Sequence, residues 1–324
     1  MVALVVWIIV RIVIRWWFLG GCNQLFQPVF AISDTKELEK TMKKVVLNGA
    51  LGLLVMSANA VAGKAEAVAD SVIIEQRAAL IKSTAGKGFG PQAPRDIGSL
   101  VGTNSRVFGP APSYAQMNLC NIHLHKNAEH KGGEFTKYAG NGDGEGYHSG
   151  YQYSGTLSAA ELTKLDASVG ASAHGSLNSG DTIEVHYVHS TAQVEPGATL
   201  GACLSDAIGN PQLRVVAQVI VLVNDANALD FNQLTELAES NGYHQAPNIP
   251  RNTGKAVEYS GSTTGPGYNE TGSPFQVSWS VRPKVAKVFI ESVGKWLGGN
   301  AFDEDHAHGV RNLVINPALL SEIR

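Results

Sequence analysis

The rhythm of apolar and polar positions changes several times along this chain. Val2 to Leu19 is almost wholly apolar apart from Arg11 and Arg15. A second apolar stretch, Val45 to Met56, follows Met42 and two lysines and runs into small residues suited to cleavage after Ala60 or Ala62. That is the three-part pattern of a secretory signal. Between Glu66 and Lys82 the residues Val68, Val72, Ile73, Ala78 and Leu80 fall at roughly helical spacing, which predicts a short amphipathic helix. Gly86, Gly88, Gly90 and Pro91 end it. From Asn118 onward the runs NLCNIHLH, TIEVHYVH, LRVVAQVIVLV and PFQVSWSV carry period-two character and are separated by Gly, Ser, Asn and Pro segments, so they read as strands. Asn232 to Ser240 and Lys284 to Trp296 read as helices, the second with Val285, Val288, Phe289, Val293 and Trp296 on one face.

This pattern predicts a mainly β (α+β) fold: one domain on a large antiparallel sheet with short peripheral helices. The expected organisation is an upstream extension at 1–41, a signal peptide at 42–62, an N-terminal helical segment at 63–87 and the folded domain at 88–324. Met42 is then the natural start. A signal anchor at Val2 to Leu19, or a lipoprotein signal ending at Cys22, would leave the second signal unexplained. Composition fits a β-rich core with many turns: charged residues make up 16% and glycines number 35, against about a quarter charged in an average domain. A net charge of -3 without a sustained basic run gives no electrostatic footprint for nucleic acid, and no membrane partner is expected once the signal is removed. The location expected is periplasmic or secreted. Export removes Cys22 and leaves Cys120 and Cys203 as an even pair where disulfides persist, so the two are expected to be bonded; the alternative is a pair of buried thiols.

The chemistry lies in the histidines. On a strand, residues two apart share a face, so His123 and His125 aim at one point. A lone H-x-H is weak, and a third ligand must come from elsewhere. TIEVHYVH offers His186 and His189, three apart and on opposite faces, of which one can join. Three neutral imidazoles with an open fourth position form a catalytic zinc set; cobalt or cadmium would also fit, and zinc is the default.

Three segments carry a family resemblance. Asn121-Ile122-His123-Leu124-His125 is followed closely by Ala128-Glu129-His130; Glu184 precedes His186 by two; and Tyr259-Ser260-Gly261-Ser262-Thr263-Thr264 is followed by Ser278-Trp279. A weaker echo is Gly90 to Ile97. Together these resemble carbonic anhydrases of the α class, with the compact H-x-H-x3-E-H spacing of the δ class. The resemblance implies a twisted sheet of the α-carbonic-anhydrase type, Zn2+ as cofactor, CO2 and bicarbonate as substrate and product, and His123, His125 and His186 as the metal ligands. It gives Asn121 and Glu184 as ligand supports. Glu129 is the carboxylate that accepts from a gatekeeping threonine, Thr263 or Thr264; the loop is one residue shorter than the α-class pattern, so both stand. His130 and His189 take structural positions. The α-class segment bearing a proton-carrying histidine has no counterpart, and His148, His174 and His244 are better read as surface residues. Competing readings are an inactive carbonic-anhydrase-like binding protein and an exported zinc esterase or hydrolase, although the chain has neither H-E-x-x-H nor G-x-S-x-G.

Overall fold

The structure, a computed structural model, describes residues 67–85, 109–264 and 272–310, with backbone alone at 261–264, 272–274, 276 and four positions of the first helix. Two compact units divide the chain, Met1–Val61 and Ala62–Arg324, and every described residue belongs to the second. The proposed extension (1–41) and signal (42–62) therefore lie outside the described residues.

In chain order the elements are α1 (Asp70–Thr84), β1 (Asn118–Lys126), β2 (Lys137–Tyr138), β3 (Tyr151–Gln152), β4 (Val169–Ser172), β5 (Gly175–Leu177), β6 (Thr182–Ser190), β7 (Leu213–Val223), α2 (Phe231–Leu234), β8 (Ala238–Ser240), β9 (Tyr243–Gln245), β10 (Val257–Thr264), β11 (Gly272–Val281), β12 (Ala286–Phe289) and α3 (Ile290–Leu297). Six strands form the main sheet in the order β1-β6-β7-β11-β10, with β12 also on β7. The fold is mainly β, as the period-two runs imply, but the sheet is mixed and not wholly antiparallel. β11 pairs with Leu213–Ala217 of β7 in parallel, and β12 continues in parallel along Ile220–Val223. All eleven residues of β7 are buried, which explains its near-continuous apolar run: a strand covered on both faces has no polar side to show.

Alternation along the strands sorts side chains onto two faces. Ile122, Leu124, Ile183, Val185, Tyr187, Val216, Ile220 and Leu222 form one core with Val293 and Trp296 of α3. Val188, Val215, Ala217, Val219, Tyr259, Val277 and Trp279 form the other. β1 carries a bulge: Leu119 lies opposite His189 and Asn121 opposite Val188, so Cys120 is the extra residue. Cys120 is bonded to Cys203 with Cα atoms 5.0 Å apart, the pairing expected of these two cysteines.

Two helix expectations fail for identifiable reasons. Lys284 to Trp296 begins as strand, because Ala286 and Val288 are buried while Lys287 is exposed, a period of two, and the edge of β7 offers backbone partners there. The helix starts only at Ile290. Asn232 to Ser240 yields one helical turn, after which Ala238–Ser240 turns into a hairpin with Tyr243–Gln245.

His189 is on the face of β6 away from His186 and is fully buried. Its Nδ1–H donates to the Tyr187 carbonyl at 3.1 Å, and Nε2 has no hydrogen-bond partner among the described residues. Burial lowers its pKa from 6.5 to about 4. The unfolded chain therefore binds this proton more readily between those values, so the stabilisation is present above pH 6.5 and is lost as pH falls towards 4. By pH 5 the loss is about 2 kcal/mol. Urea midpoints of chelator-treated protein at pH 7 and pH 5 should show a smaller fall for His189→Leu than for the parent; an equal fall would refute the assignment.

Candidate metal centre

The pairing of β1 with β6 places His123 directly opposite His186, and His125 opposite Glu184. His123 and His125 stand two positions apart along β1, so all three imidazoles project from one face. Their ring centroids lie 4.8 to 5.2 Å apart, and one nitrogen from each falls within 4.8 Å of the others.

Hydrogen bonds on the far side of each ring decide which nitrogen is left to point inward. The Asn121 amide donates to the Gly197 carbonyl at 3.0 Å, which turns its oxygen to His123 Nδ1 at 2.6 Å; Nδ1 therefore carries the proton and Nε2 the lone pair. His125 Nδ1 lies 2.9 Å from the Gly309 carbonyl, which can only accept. His186 Nε2 lies 3.1 Å from Glu184 Oε1, leaving Nδ1 as the inward atom, 3.3 Å from His123 Nε2. Among the described residues His125 Nε2 is buried without a partner. A buried orphan acceptor is rare in a folded protein, and three converging lone pairs with their tautomers fixed are the donor set a metal ion requires. Burial lowers the His125 pKa to about 4, keeping it in the neutral form a metal needs. At His186 burial pushes the same way, but the hydrogen bond and charge of Glu184 outweigh it and raise the pKa.

Glu184, fully buried on β6, is the hub beneath the site. Its Oε1 accepts from His130 Nδ1 at 2.6 Å and from His186; its Oε2 accepts from the backbone N–H groups of Glu129 and His130 at 2.5 and 3.3 Å. Burial alone would raise its pKa, but the His130 and His186 interactions hold it well below the ordinary carboxylate range. With Nδ1–H given to Glu184, His130 Nε2 accepts from the Tyr259 hydroxyl. Desolvation keeps Tyr259 a neutral phenol by raising its pKa well above 10. His130 thus lies beneath the triad and does not join it. Tyr259 stacks on Trp279, whose ring meets the His186 ring edge-on at 5.2 Å.

The chain leaves β1 through Asn127, at φ 70, and turns Glu129 under the triad. Its carboxylate oxygens lie 3.5 Å from His125 Nδ1 and 3.8 Å from His186 Nε2. Thr263 and Thr264 end β10, but their side chains lie outside the described residues, so the contact expected between one of them and Glu129 is not seen. His148 and His174 line a small pocket with Tyr147 and Lys126, and His244 pairs with Glu195 at 3.1 Å. None of these three joins the triad.

Sequence reasoning missed the C-terminal contribution. His308 is bridged to β1 through Lys126 N–H to its carbonyl (2.9 Å) and its own N–H to the Leu124 carbonyl (2.8 Å). Its ring centroid is 6.0 Å from both His123 and His125, and its Nε2 lies 2.6 Å from Glu304. The neighbouring Gly309 supplies the carbonyl on His125. The only signal in the chain for this segment is a second H-x-H, His306-Ala307-His308; a backbone carbonyl has no sequence signature.

A histidine triad able to hold a metal ion on a mainly β sheet is the arrangement that the resemblance to carbonic anhydrases implies. The family model for delta carbonic anhydrase matches residues 114–292, more than half of the chain, and the chain belongs to that family. No curated protein matches it. Among solved structures it is similar to the Photobacterium profundum alpha-carbonic anhydrase, with 14% identity over 74% of this chain and 94% of that one, at a TM-score of 0.23. It is also similar to the alpha-carbonic anhydrase from Thermovibrio ammonificans in complex with sulfanilamide, at 13% identity over 72% and 88% of the two chains and a TM-score of 0.23. Overlaps that small carry no weight for the site.

Proposed function

We propose that His123, His125 and His186 hold zinc and that the protein hydrates CO2 reversibly to bicarbonate and a proton. The observation that carries this reading is the convergence of three lone pairs whose opposite ring nitrogens are all engaged, with His125 Nε2 buried and unpartnered. When bound in such a set, zinc supplies Lewis acidity that brings the pKa of water to about 7, the value known for carbonic anhydrases.

The chain's own residues do the rest. Asn121, the Gly309 carbonyl and Glu184 fix tautomer and ring orientation. Glu129 is buried yet held in its charged form, since the nearby His125 and His186 outweigh the upward push of burial. A charged carboxylate can only accept, so a hydroxyl of Thr263 or Thr264 that donates to it must keep its lone pairs for the incoming nucleophile. That orients the nucleophile's free electron pair towards the carbon of CO2. The new C–O bond forms as one C=O electron pair moves onto oxygen, and one proton leaves to solvent. Val188 and Trp279, in the core on His186's side of the sheet, supply apolar surface suited to CO2.

Metal content and CO2 hydration of the protein, measured beside His186→Ala, test this reading. About one zinc per chain with activity lost in the variant supports it; a zinc-loaded protein without hydration above the uncatalysed rate would move the reading to a binding protein. Export belongs to the same proposal, supported by the Cys120–Cys203 bond and by the signal pattern at 42–62. Expressed in full in a bacterium with an export pathway, the protein should be recovered from the periplasm or medium with an N-terminus at Val61 or Gly63; an N-terminus at Met1 in the cytoplasm would contradict it. Among the described residues no helix is long and apolar enough to cross a membrane.

A further inference from the structure

The segment between β6 and β7 reaches the contacts that orient His123 through Gly197, and the disulfide ties it there. Gly197 makes two hydrogen bonds to consecutive residues of the β1 bulge: its N–H donates to the Cys120 carbonyl at 3.0 Å, and its carbonyl accepts from Asn121 Nδ2 at 3.0 Å. Six residues on, Cys203 is bonded to the same Cys120, and its carbonyl accepts from Ser190 Oγ at 2.7 Å. Thr199, at φ 58, accepts from the Gly201 N–H through its side chain and sets the short turn between them. The loop 191–204 is thus closed on the bulge at both Gly197 and Cys203.

The Asn121 amide has two orientations related by a half-turn, and its own strand does not choose between them. With its NH2 on the Gly197 carbonyl, its oxygen faces His123 Nδ1 and accepts. Turned over, its NH2 would face Nδ1–H, and the pair would repel; His123 would then favour the tautomer with the proton on Nε2, where the metal must bind. We propose that the Cys120–Cys203 disulfide and the Gly197 carbonyl form a positioning device for His123, which sets its tautomer through Asn121 and so tunes metal affinity. The inference rests on His123 being a metal ligand, as proposed above. It gives the disulfide a role at the site, distinct from the general stabilisation that closing a loop of 83 residues' separation provides.

A double-mutant cycle separates the two roles. Asn121→Asp has no amide to turn: either carboxylate oxygen accepts from Nδ1–H whatever the loop does. Zinc affinity is measured by competition with a chelator on the full chain, together with the melting temperature, for the parent, Cys120→Ala/Cys203→Ala, Asn121→Asp and the triple variant. The disulfide-free protein should bind zinc about tenfold or more weakly than the parent, the loss common when a ligand's hydrogen-bond partner is disturbed. In the Asn121→Asp background the same change should cost less than about threefold, since the accepting oxygen no longer depends on the loop, while the melting temperature falls alike in both. Equal loss of affinity in both backgrounds, or no loss in either, would overturn the inference while leaving the zinc reading intact. A parent that binds no zinc, or that binds it equally after His186→Ala, would overturn both.

If the disulfide-free chain does not fold, Gly197→Val replaces it. An added Cβ at Gly197 meets the Ala202 Cβ at 3.3 Å, so the larger side chain displaces the carbonyl with the disulfide kept. The same contrast between backgrounds is expected, and its absence would overturn the inference in the same way.

Discussion

His186→Ala should remove zinc binding at micromolar metal and bring CO2 hydration down to the uncatalysed rate. A tetrahedral zinc site is worth about 10–16 kcal/mol over four ligands, so one ligand is worth about 3 kcal/mol, or more than about 10²-fold in affinity. The loss is not confined to one bond. Removing the imidazole leaves two ligands on a single strand, which cannot close around an ion from both sides. It also deprives Glu184 Oε1 of one of its two donors, although His130 remains. Because β6 is buried along its whole length, the variant should also lose about 2–3 kcal/mol of stability to the cavity it creates. Zinc content and activity read the first effect, and a urea melt with chelator present reads the second. Retention of one tightly bound zinc in the variant would mean that the metal sits elsewhere.

Why much of this centre was legible in the sequence, and some of it was not, follows from how far each contact reaches along the chain. His123 and His125 share a face by the geometry of a single strand, and Asn121 and Glu184 each stand two residues before a triad histidine on the same face. Both relations are local, and the structure shows the contacts they imply. The choice of His186 over His189 was local as well, but only the family resemblance made it, because periodicity allows either face. The direct opposition of His123 and His186 depends on the register between strands some sixty residues apart. That register includes a bulge at Cys120, and nothing in NLCNIHLH announces an extra residue. The Gly309 carbonyl was out of reach for a different reason, since every residue carries a carbonyl and only tertiary placement singles one out. The helix read over Lys284 to Trp296 failed because Val285, Val288, Phe289 and Val293 satisfy a helical period while Ala286 and Val288 also satisfy a strand period. The parallel edge of β7 decided between them.

Glu184→Gln should be nearly as damaging to the folded protein as any change at the ligands, despite keeping size and shape. The carboxylate accepts from four donors: His186 Nε2–H and His130 Nδ1–H at one oxygen, and the Glu129 and His130 backbone N–H groups at the other. A glutamine has one accepting oxygen, so its NH2 must face either the two imidazoles or the two amides. In the first orientation both rings are driven to the other tautomer, which puts a proton on His186 Nδ1, the atom the metal needs, and reverses the His130–Tyr259 hydrogen bond, so that the Tyr259 O–H loses its acceptor. In the second, two buried backbone donors are left unsatisfied at about 1–3 kcal/mol each. The charge is lost in both, and with it the pull that raises the His186 pKa and keeps its Nε2–H bond strong. We therefore expect a loss of about 2–4 kcal/mol in stability and of about 10- to 100-fold in zinc affinity. Glu184→Asp should recover neither fully, because a carboxylate one methylene shorter cannot reach both His186 on β6 and the Glu129–His130 segment that follows β1. Chelator competition and urea melts on the two variants measure these effects. A Glu184→Gln protein with the parent's stability and zinc affinity would show that the buried carboxylate is not the hub on which the triad rests.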